Sequence, residues 1–467
     1  RPRRPAHPAH PSRPSPPTTP ASPPRTRWLR TVHAVAEHAG PARWVLLKDR
    51  DFAVYYLAST VSFLGMQVGR VVLPLLCFQL SGSAFLTSLL FTVQLVPSFA
   101  FGLFAGALAD RVNRRTIMII GYGAAGLTLA AIPALHLLNA LTITAVYVAA
   151  FLSATAYTWA EAADMGAVPA LVGRNRIVGA ASLIHGTWTI TGVVGLPLGG
   201  ALAALIGTIG TIAINAAGFL ILAALLPLIR RTLGPTRHSQ PAPSPSVVRS
   251  ILRDIAEGLH FVRHHPIQWP ITVIGTIASI GVGAGLSLIV VYGVQQLQLP
   301  DNGGQIGLLY AAGAIGAFAA AAALPAISTR IPPGRIAITS QAVSAGLLAL
   351  LAVTTSPPVS VLLLGLWEFT LTLAVLNTMS LRQRITPDRL QSRVNASVRL
   401  VAATGQALGG LLGGLLADVA TVAIAYGAIA ILLGMVAVAA ALSPIRRITH
   451  TTVNLAMTEA DADADHR

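Results

Sequence analysis

The chain has 467 residues, of which 54% are hydrophobic and only 10% charged, against the ~25% charged residues of soluble domains; its mean hydropathy is +0.68. That composition excludes a soluble globular protein. The net charge of +16 arises from 32 Lys and Arg against 16 Asp and Glu. The basic residues cluster between long uncharged stretches, a membrane-topology pattern that excludes a nucleic-acid-binding face. The single cysteine, Cys77, lies in an apolar run, which excludes an internal disulfide and a cysteine-based metal site.

In chain order, residues 1–27 hold ten prolines with no hydrophobic periodicity and no continuous apolar core segment, the pattern of a disordered tail and not of a signal peptide. Arg43-Trp44 to Asp51 reads as an interfacial lead-in, so 1–50 is taken as one N-terminal unit. Twelve stretches then reach the ~20 apolar residues needed to cross a ~30 Å hydrocarbon core. They are 52–79, 84–108, 116–137, 141–165, 177–205, 210–229, 268–295, 304–327, 335–354, 359–381, 398–416 and 421–443. Residues 177–229 hold no Asp, Glu, Lys or Arg, too long a run for one crossing, and Gly207-Thr208-Ile209-Gly210 is its natural break. Between the sixth and seventh spans, 230–267 is a polar linker with a Pro-rich start and an amphipathic piece, Val247 to His264; the acidic tail falls in 446–467.

Alternate loops, at 110–115, 173–176, 230–265, 330–335 and 382–393, carry Arg, whereas the opposite loops carry no Lys or Arg. Cytoplasmic loops retain basic residues, so the pattern predicts a multi-pass protein of the cell (inner or plasma) membrane with both termini cytoplasmic. The spans form two halves, 51–229 and 268–445. A weak internal repeat supports duplication: Ala180-Ala181-Ser182-Leu183 precedes Gly195, Gly199 and Gly200, and Asn395-Ala396-Ser397-Val398 precedes Gly409, Gly413 and Gly414. These glycine rows and Pro197 are read as close-packing and kink positions.

Gly106-Ala107-Leu108-Ala109-Asp110-Arg111-Val112-Asn113-Arg114-Arg115 resembles the signature of the major facilitator superfamily between spans two and three, G-x-L-a-D-r-x-G-r-k, with Asn113 at the second glycine. Ser62-x-x-Gly65 with Pro74, and Pro169-Ala170-Leu171-Val172, are similar to its macrolide and enterobactin exporter branch. Gly195-Leu196-Pro197-Leu198-Gly199-Gly200 resembles its antiporter signature, G-P-x-x-G-G, with the proline one place late. The resemblance implies an all-α fold of twelve transmembrane helices in two pseudo-symmetric six-helix bundles. It also implies an exporter, a drug:proton antiporter, working by alternating access. Gly106, Asp110, Arg111, Arg114 and Arg115 would form a conformational latch, the Asp110 carboxylate capping a facing helix and pairing with arginine.

Charges inside the spans mark function by default. Arg70 lies near mid-membrane and should face a wet cavity or a carboxylate; Glu368 is at similar depth, and in the family resembled both their spans line the central cavity, so an Arg70–Glu368 contact or water bridge is expected. Glu161 and Asp164 share one helical face near the cytoplasmic end of span four, either in proton transfer or pairing with Arg174 and Arg176. Gln67, Gln94, Tyr157, Trp159, Trp188 and Gln406 are candidate cavity-lining groups; each is individually also explained by helix packing.

Enzyme chemistry finds no support. Gly121-Tyr122-Gly123-Ala124-Ala125-Gly126 matches a dinucleotide fingerprint but sits in an apolar helix without a preceding strand, and the only lysine, Lys48, has no P-loop context. The reading is a monomeric, proton-coupled exporter of a small hydrophobic or amphipathic molecule, with the lipid bilayer, substrate and protons as partners and no cofactor, metal or nucleic acid. The alternatives are an importer or uniporter of the same fold, a membrane-embedded lipid-modifying enzyme, or a non-transporting sensor.

Overall fold

The computed structural model describes residues 46–109, 112–173, 176–231, 233 and 246–449, and the regular elements among them are all helical. A short turn, Leu46–Lys48, precedes α1 (Arg50–Ser81), α2 (Ala84–Ala109), α3 (Arg114–Leu137) and α4 (Ile143–Val172). Ile177–Leu225 follows as one stretch of 49 residues, far longer than a ~30 Å core requires. Its backbone leaves helical geometry at Gly207, with φ 77° and ψ 165°, a conformation accessible to glycine for want of a Cβ. The arms 177–206 and 208–225 are α5 and α6. Gly199, eight residues before the break, packs on Val68 of α1, and Asn215, eight after it, packs on Gly65 and Gly69 at the same level, so the chain folds back there.

The amphipathic linker helix α7 (Ser246–His264) leads to α8 (Gln268–Ser287), which continues through Ile289–Val291 into a π-helical turn, Tyr292–Gln296. Then come α9 (Gly304–Arg330), α10 (Pro333–Val353), α11 (Pro357–Ile385), α12 (Asp388–Val419) and α13 (Val422–Leu442), with a last turn at Pro444–Arg447. Eleven stretches of the described residues are long and apolar enough to cross a membrane, one of them being the 52-residue Ile177–Leu228 that Gly207 divides. The count of crossings is therefore twelve. Leu57, Ile120, Leu127, Ile190, Ile431 and Val438 are all at least 60% exposed, an apolar exterior that water would not tolerate and lipid favours.

Two ends of two helices depart from the hydropathy reading. The fourth span runs to Val172 rather than 165, because Met165 to Val172 is apolar and remains helical through Pro169. Glu161 and Asp164 therefore lie two to three turns inside the helix, not close to its end. The eleventh begins at Asp388 rather than 398, since α7 covers its charged first turns. There Val262 and Phe261 pack with Leu390, Val394 and Val398, Gly258 lies against the Arg393 carbonyl, and Arg393 Nη1 meets Glu257 Oε2 at 2.7 Å.

Successive spans reverse direction, which puts the connections after α1, α3, α5, α8, α10 and α12 at a short-loop end and the linker at the other. Within the first half α1 packs along α5 and α6; within the second, α8 packs along α12. The halves meet through α5 against α9 and α2 against α12. The glycine repeat explains both crossings. A Cβ on Gly195 or Gly199 would strike Gln67 or Val68 of α1, and one on Gly409 or Gly413 would strike Ile280 or Ala284 of α8. The last glycine of each row faces the opposite half: Gly200 meets Gly303 and Gly307, and Gly414 meets Ser88 and the Ala84 carbonyl. Small residues let backbones touch where larger side chains would hold them apart. Pro197 lies inside α5 without ending it, and its carbonyl faces Gly307.

At the linker end the first half is tied to itself. Asp49 caps α1 through Asp51 N and Phe52 N, and its Oδ2 meets Arg231 Nη2 at 2.7 Å. Asp51 accepts from the Arg230 and Arg231 backbone amides at 3.1 and 2.9 Å, and the Arg231 guanidinium reaches the Leu171 carbonyl. The start of α1 and the ends of α4 and α6 are thus one unit.

Candidate functional site

Between the halves lies a cavity of about 900 Å³. Its walls come from α1 to α6 on one side, α3 through Leu129 alone, and α8, α9, α11 and α12 on the other. Among the described residues, hydrogen bonds join the halves toward the short-loop end: Gln79 to the Asp301 carbonyl, Ser83 and Ala84 to Asp418, and Thr92 to the Ala407 carbonyl. The cavity is accordingly closed at that end, and its lining extends toward the linker end as far as His185 of α5 and Phe318 and Ala321 of α9.

Arg70 and Glu368 both line this cavity. Arg70 sits deep in the molecule with its side chain exposed to the cavity space; the groups within electrostatic reach are Tyr157 and Glu161. Glu368 is half-buried on α11, its stem packed where α9 has Gly313, on which a Cβ would stand 3.0 Å from Glu368 Cγ. Of the expected Arg70–Glu368 contact or water bridge, no direct salt bridge is formed; the two share the space.

Of the lining candidates, Gln67, Gln94, Tyr157, Trp188 and Gln406 border the cavity. Trp159 does not; it packs against Phe101 of α2, with ring centroids 6.4 Å apart, because it projects from α4 away from the cavity face that Tyr157 and Thr158 occupy. Glu161 and Asp164 also lie outside the lining. Asp164 accepts a hydrogen bond from the Tyr55 hydroxyl at 2.7 Å, and Glu161 lies within electrostatic reach of Arg399 and Arg70. Arg176, one expected partner, turns back to the Val172 carbonyl at 3.1 Å; Arg174, the other, is outside the described residues.

Of the latch residues, Gly106, Arg114 and Arg115 are among the described ones. Asp110 and Arg111 lie outside the described residues, and a Cβ on Gly106 would meet nothing within 4 Å. Arg114 Nη1 donates to the Gly166 carbonyl at 3.2 Å, while Arg115 Nε donates to the Leu226 carbonyl at 3.1 Å and its Nη2 to the Pro227 carbonyl. Both arginines thus bind carbonyls of their own half, the one inside α4 and the other where α6 ends, a place that favours cations. The dinucleotide-like glycines are packing positions: Gly121 touches α4 at Ala156 and Ala160, and Gly126 touches α6 at Ala216 and Leu220.

Asn215 was not among the sequence candidates, yet it is 3% exposed, borders the cavity and sits against Gly69. Its Oδ1, like Oε1 of Gln67, a cavity-lining amide on α1, has no hydrogen-bond partner. The available signal was its isolation, the one Asn in the uncharged run 177–229. Tyr310 and Thr372 were also missed, because a lone hydroxyl on an apolar helix carries no periodic signature.

The family model of the Major Facilitator Superfamily matches residues 55–405. The chain belongs to the major facilitator superfamily. It is a multi-pass membrane protein and a secondary transporter, not an enzyme. Over 376 residues, 79% of this chain and 87% of the relative, this superfamily member is 27% identical to the enterobactin exporter EntS of Salmonella choleraesuis. The solved nucleoside transporter NupG shares the fold with a TM-score of 0.68 at 10% identity, covering 84% of this chain and 98% of that one. A bacterial homologue of the iron transporter ferroportin, in an inward-facing state, gives 0.65 at 18% identity, with 84% and 98% covered.

Proposed function

We propose that this transporter exports a small hydrophobic or amphipathic molecule across the cell membrane by proton-coupled alternating access. The reading places both termini on the cytoplasmic side and treats 51–229 and 268–445 as the two moving units of a monomer. The observation that carries it is a cavity of about 900 Å³ whose open side is the Arg-bearing end, with a carboxylate and a guanidinium on opposite walls. Under the retention of basic residues in the cytoplasm, that open side receives substrate from inside the cell. The likeness to an exporter relative supports the same direction.

Most of the lining is apolar or aromatic, Phe91, Trp188, Phe219, Phe318 and Tyr310 among it, which suits an apolar body with few polar groups. Gain or loss of one proton at Glu368 changes the wall by a full charge at membrane depth, where an unpaired charge costs ~2.5–3.5 kcal/mol. Arg70 supplies the opposing charge, so substrate and proton alter the same electrostatic balance. Asp110 and its neighbouring arginines serve as the latch when the linker end closes.

Everted membrane vesicles test this. With the lumen made acidic, a fluorescent amphipathic dye is expected to accumulate inside and to leave when the pH gradient is collapsed. Flux indifferent to the gradient, or running only out of everted vesicles, overturns the proton-coupled exporter.

A further inference from the structure

The two glycine rows place equivalent residues at equivalent seams, and one pair breaks the equivalence. With an offset of 214 positions, Gly195, Gly199 and Gly200 correspond to Gly409, Gly413 and Gly414, and Ala204 corresponds to Asp418. At the first seam Ala204 makes an apolar contact where a Cβ on Gly304 would stand 3.3 Å from its own. The N-terminus of α9 there is served within its own half, Asn302 Oδ1 accepting from Gly304 N at 3.2 Å.

At the second seam the equivalent helix start, that of α2, is served from across the interface. Asp418 Oδ1 accepts from Ala84 N at 2.9 Å, and Asp418 Oδ2 accepts from Ser83 Oγ at 3.1 Å. Ser83 Oγ in turn accepts from Leu86 N at 3.1 Å. The first amides of a helix have no intrahelical acceptor, and the helix dipole favours an anion beside them. The carboxylate of one half therefore completes the helix of the other.

We infer that Asp418 is a positioning residue for transport, a latch that holds the short-loop end shut by capping α2 in trans. The inference rests on the alternating-access reading. When the halves separate at this end, Ala84 N and Ser83 Oγ lose Asp418 and exchange it for water. Nothing equivalent is lost at the Ala204 seam, whose helix carries its own cap with it. Opening is thus opposed by a carboxylate cap on one side and, on the other, by apolar surface and the one hydrogen bond from Gln79 to the Asp301 carbonyl, which caps no helix. The contact is solvent-exposed, so it tunes the balance between states and does not decide the fold.

The test is a distance measurement by spin labels at Ala140→Cys and Thr355→Cys, one on each half at the short-loop end, in full-length protein with Cys77→Ser, reconstituted in lipid. Asp418→Ala is expected to raise the population open at this end about tenfold, the size of a lost cap. Asp418→Asn retains an acceptor for Ala84 N and is expected to stay within about twofold of the parent. Ser83→Ala, which leaves Asp418 in place, is expected to shift the balance in the same direction by less. In dye transport Asp418→Ala should change turnover with the half-saturating concentration unaltered. Identical distance distributions in Asp418→Ala and the parent, or an Asp418→Asn distribution matching that of Asp418→Ala, overturn the latch. Failure of the alternating-access reading has a different signature, a single distance population in all variants alongside dye flux that persists.

Discussion

The two halves hold their carboxylates differently. In the first, Asp164 takes a hydroxyl from Tyr55 and lies away from the cavity, and Asp49 and Asp51 bind the start of α1 to the end of α6. In the second, Glu368 borders the cavity beside a glycine and forms no salt bridge with the arginine it shares the space with. A buried charge with its hydrogen bonds satisfied is a structural element. One that faces a wet space without such a partner is available for substrate or proton. Location in a span alone does not distinguish them; the neighbour does.

The contrast is broken most directly by removing each charge. Glu368→Gln and Arg70→Ala are expected to reduce dye transport at least ~100-fold, the size of a lost transition-state interaction of ~2.7 kcal/mol, while insertion and thermal unfolding in detergent stay near the parent. Asp164→Asn should do the reverse, retaining transport within a few-fold and costing about 1–3 kcal/mol of stability as the Tyr55 hydroxyl loses its charged acceptor. Equal transport loss in all three variants would erase the distinction.

The close approaches sharpen it within each half. A Cβ on Gly409 would stand 1.9 Å from the Ile280 carbonyl oxygen, which is backbone, whereas one on Gly69 would stand 2.2 Å from Asn215 Nδ2, the end of a side chain. Gly409→Ala should therefore cost more than the ~1–3 kcal/mol typical of overpacking, with no single relieving substitution. Gly69→Ala should be largely rescued by Asn215→Ala, read from the same unfolding curves. A Gly69→Ala loss unrelieved in the double variant would mean that the α1–α6 contact is not limited by Asn215.

The smallest effect belongs to His265, between α7 and α8. Its Nδ1 accepts from Ile267 N and Gln268 N, both at 3.2 Å, and burial pushes its ring pKa down. A pKa below the unfolded value means that the folded chain binds fewer protons, so this contribution is full above the unfolded histidine pKa of about 6.5 and is lost as pH falls through the folded value. His265→Ala should cost ~1 kcal/mol above that range, in the manner of a lost helix cap, and the difference from the parent should shrink in acid. A constant difference between pH 8 and pH 5 would exclude the capping role.

Most of the architecture was legible because a bilayer imposes length and apolarity on every crossing, and even the fold-back at Gly207 stood out as a glycine-bounded break in an uncharged run. What misled was charge. Asp164 and Glu161 suggested an interface at the end of the fourth span, since nothing in the sequence joins Asp164 to Tyr55 more than a hundred residues earlier. The charged start of α12 read as loop because its covering partner, α7, lies far back in the chain. At the site, Arg70 and Glu368 announced themselves as ions in apolar runs, but whether a direct salt bridge joins them depends on the packing of the two halves, which hydropathy does not encode. Asn215 has no such announcement, as a single amide scarcely changes hydropathy.

The docking of α7 on α12 also fixes which half the linker helix travels with. Arg231 is held by Asp49 and Asp51 on one side, and Glu257 and Gly258 are held by α12 on the other. Leu233, two positions beyond Arg231, is fully buried in the main core. A rocking motion of the halves therefore carries α7 along with α12, and Arg231 along with α1.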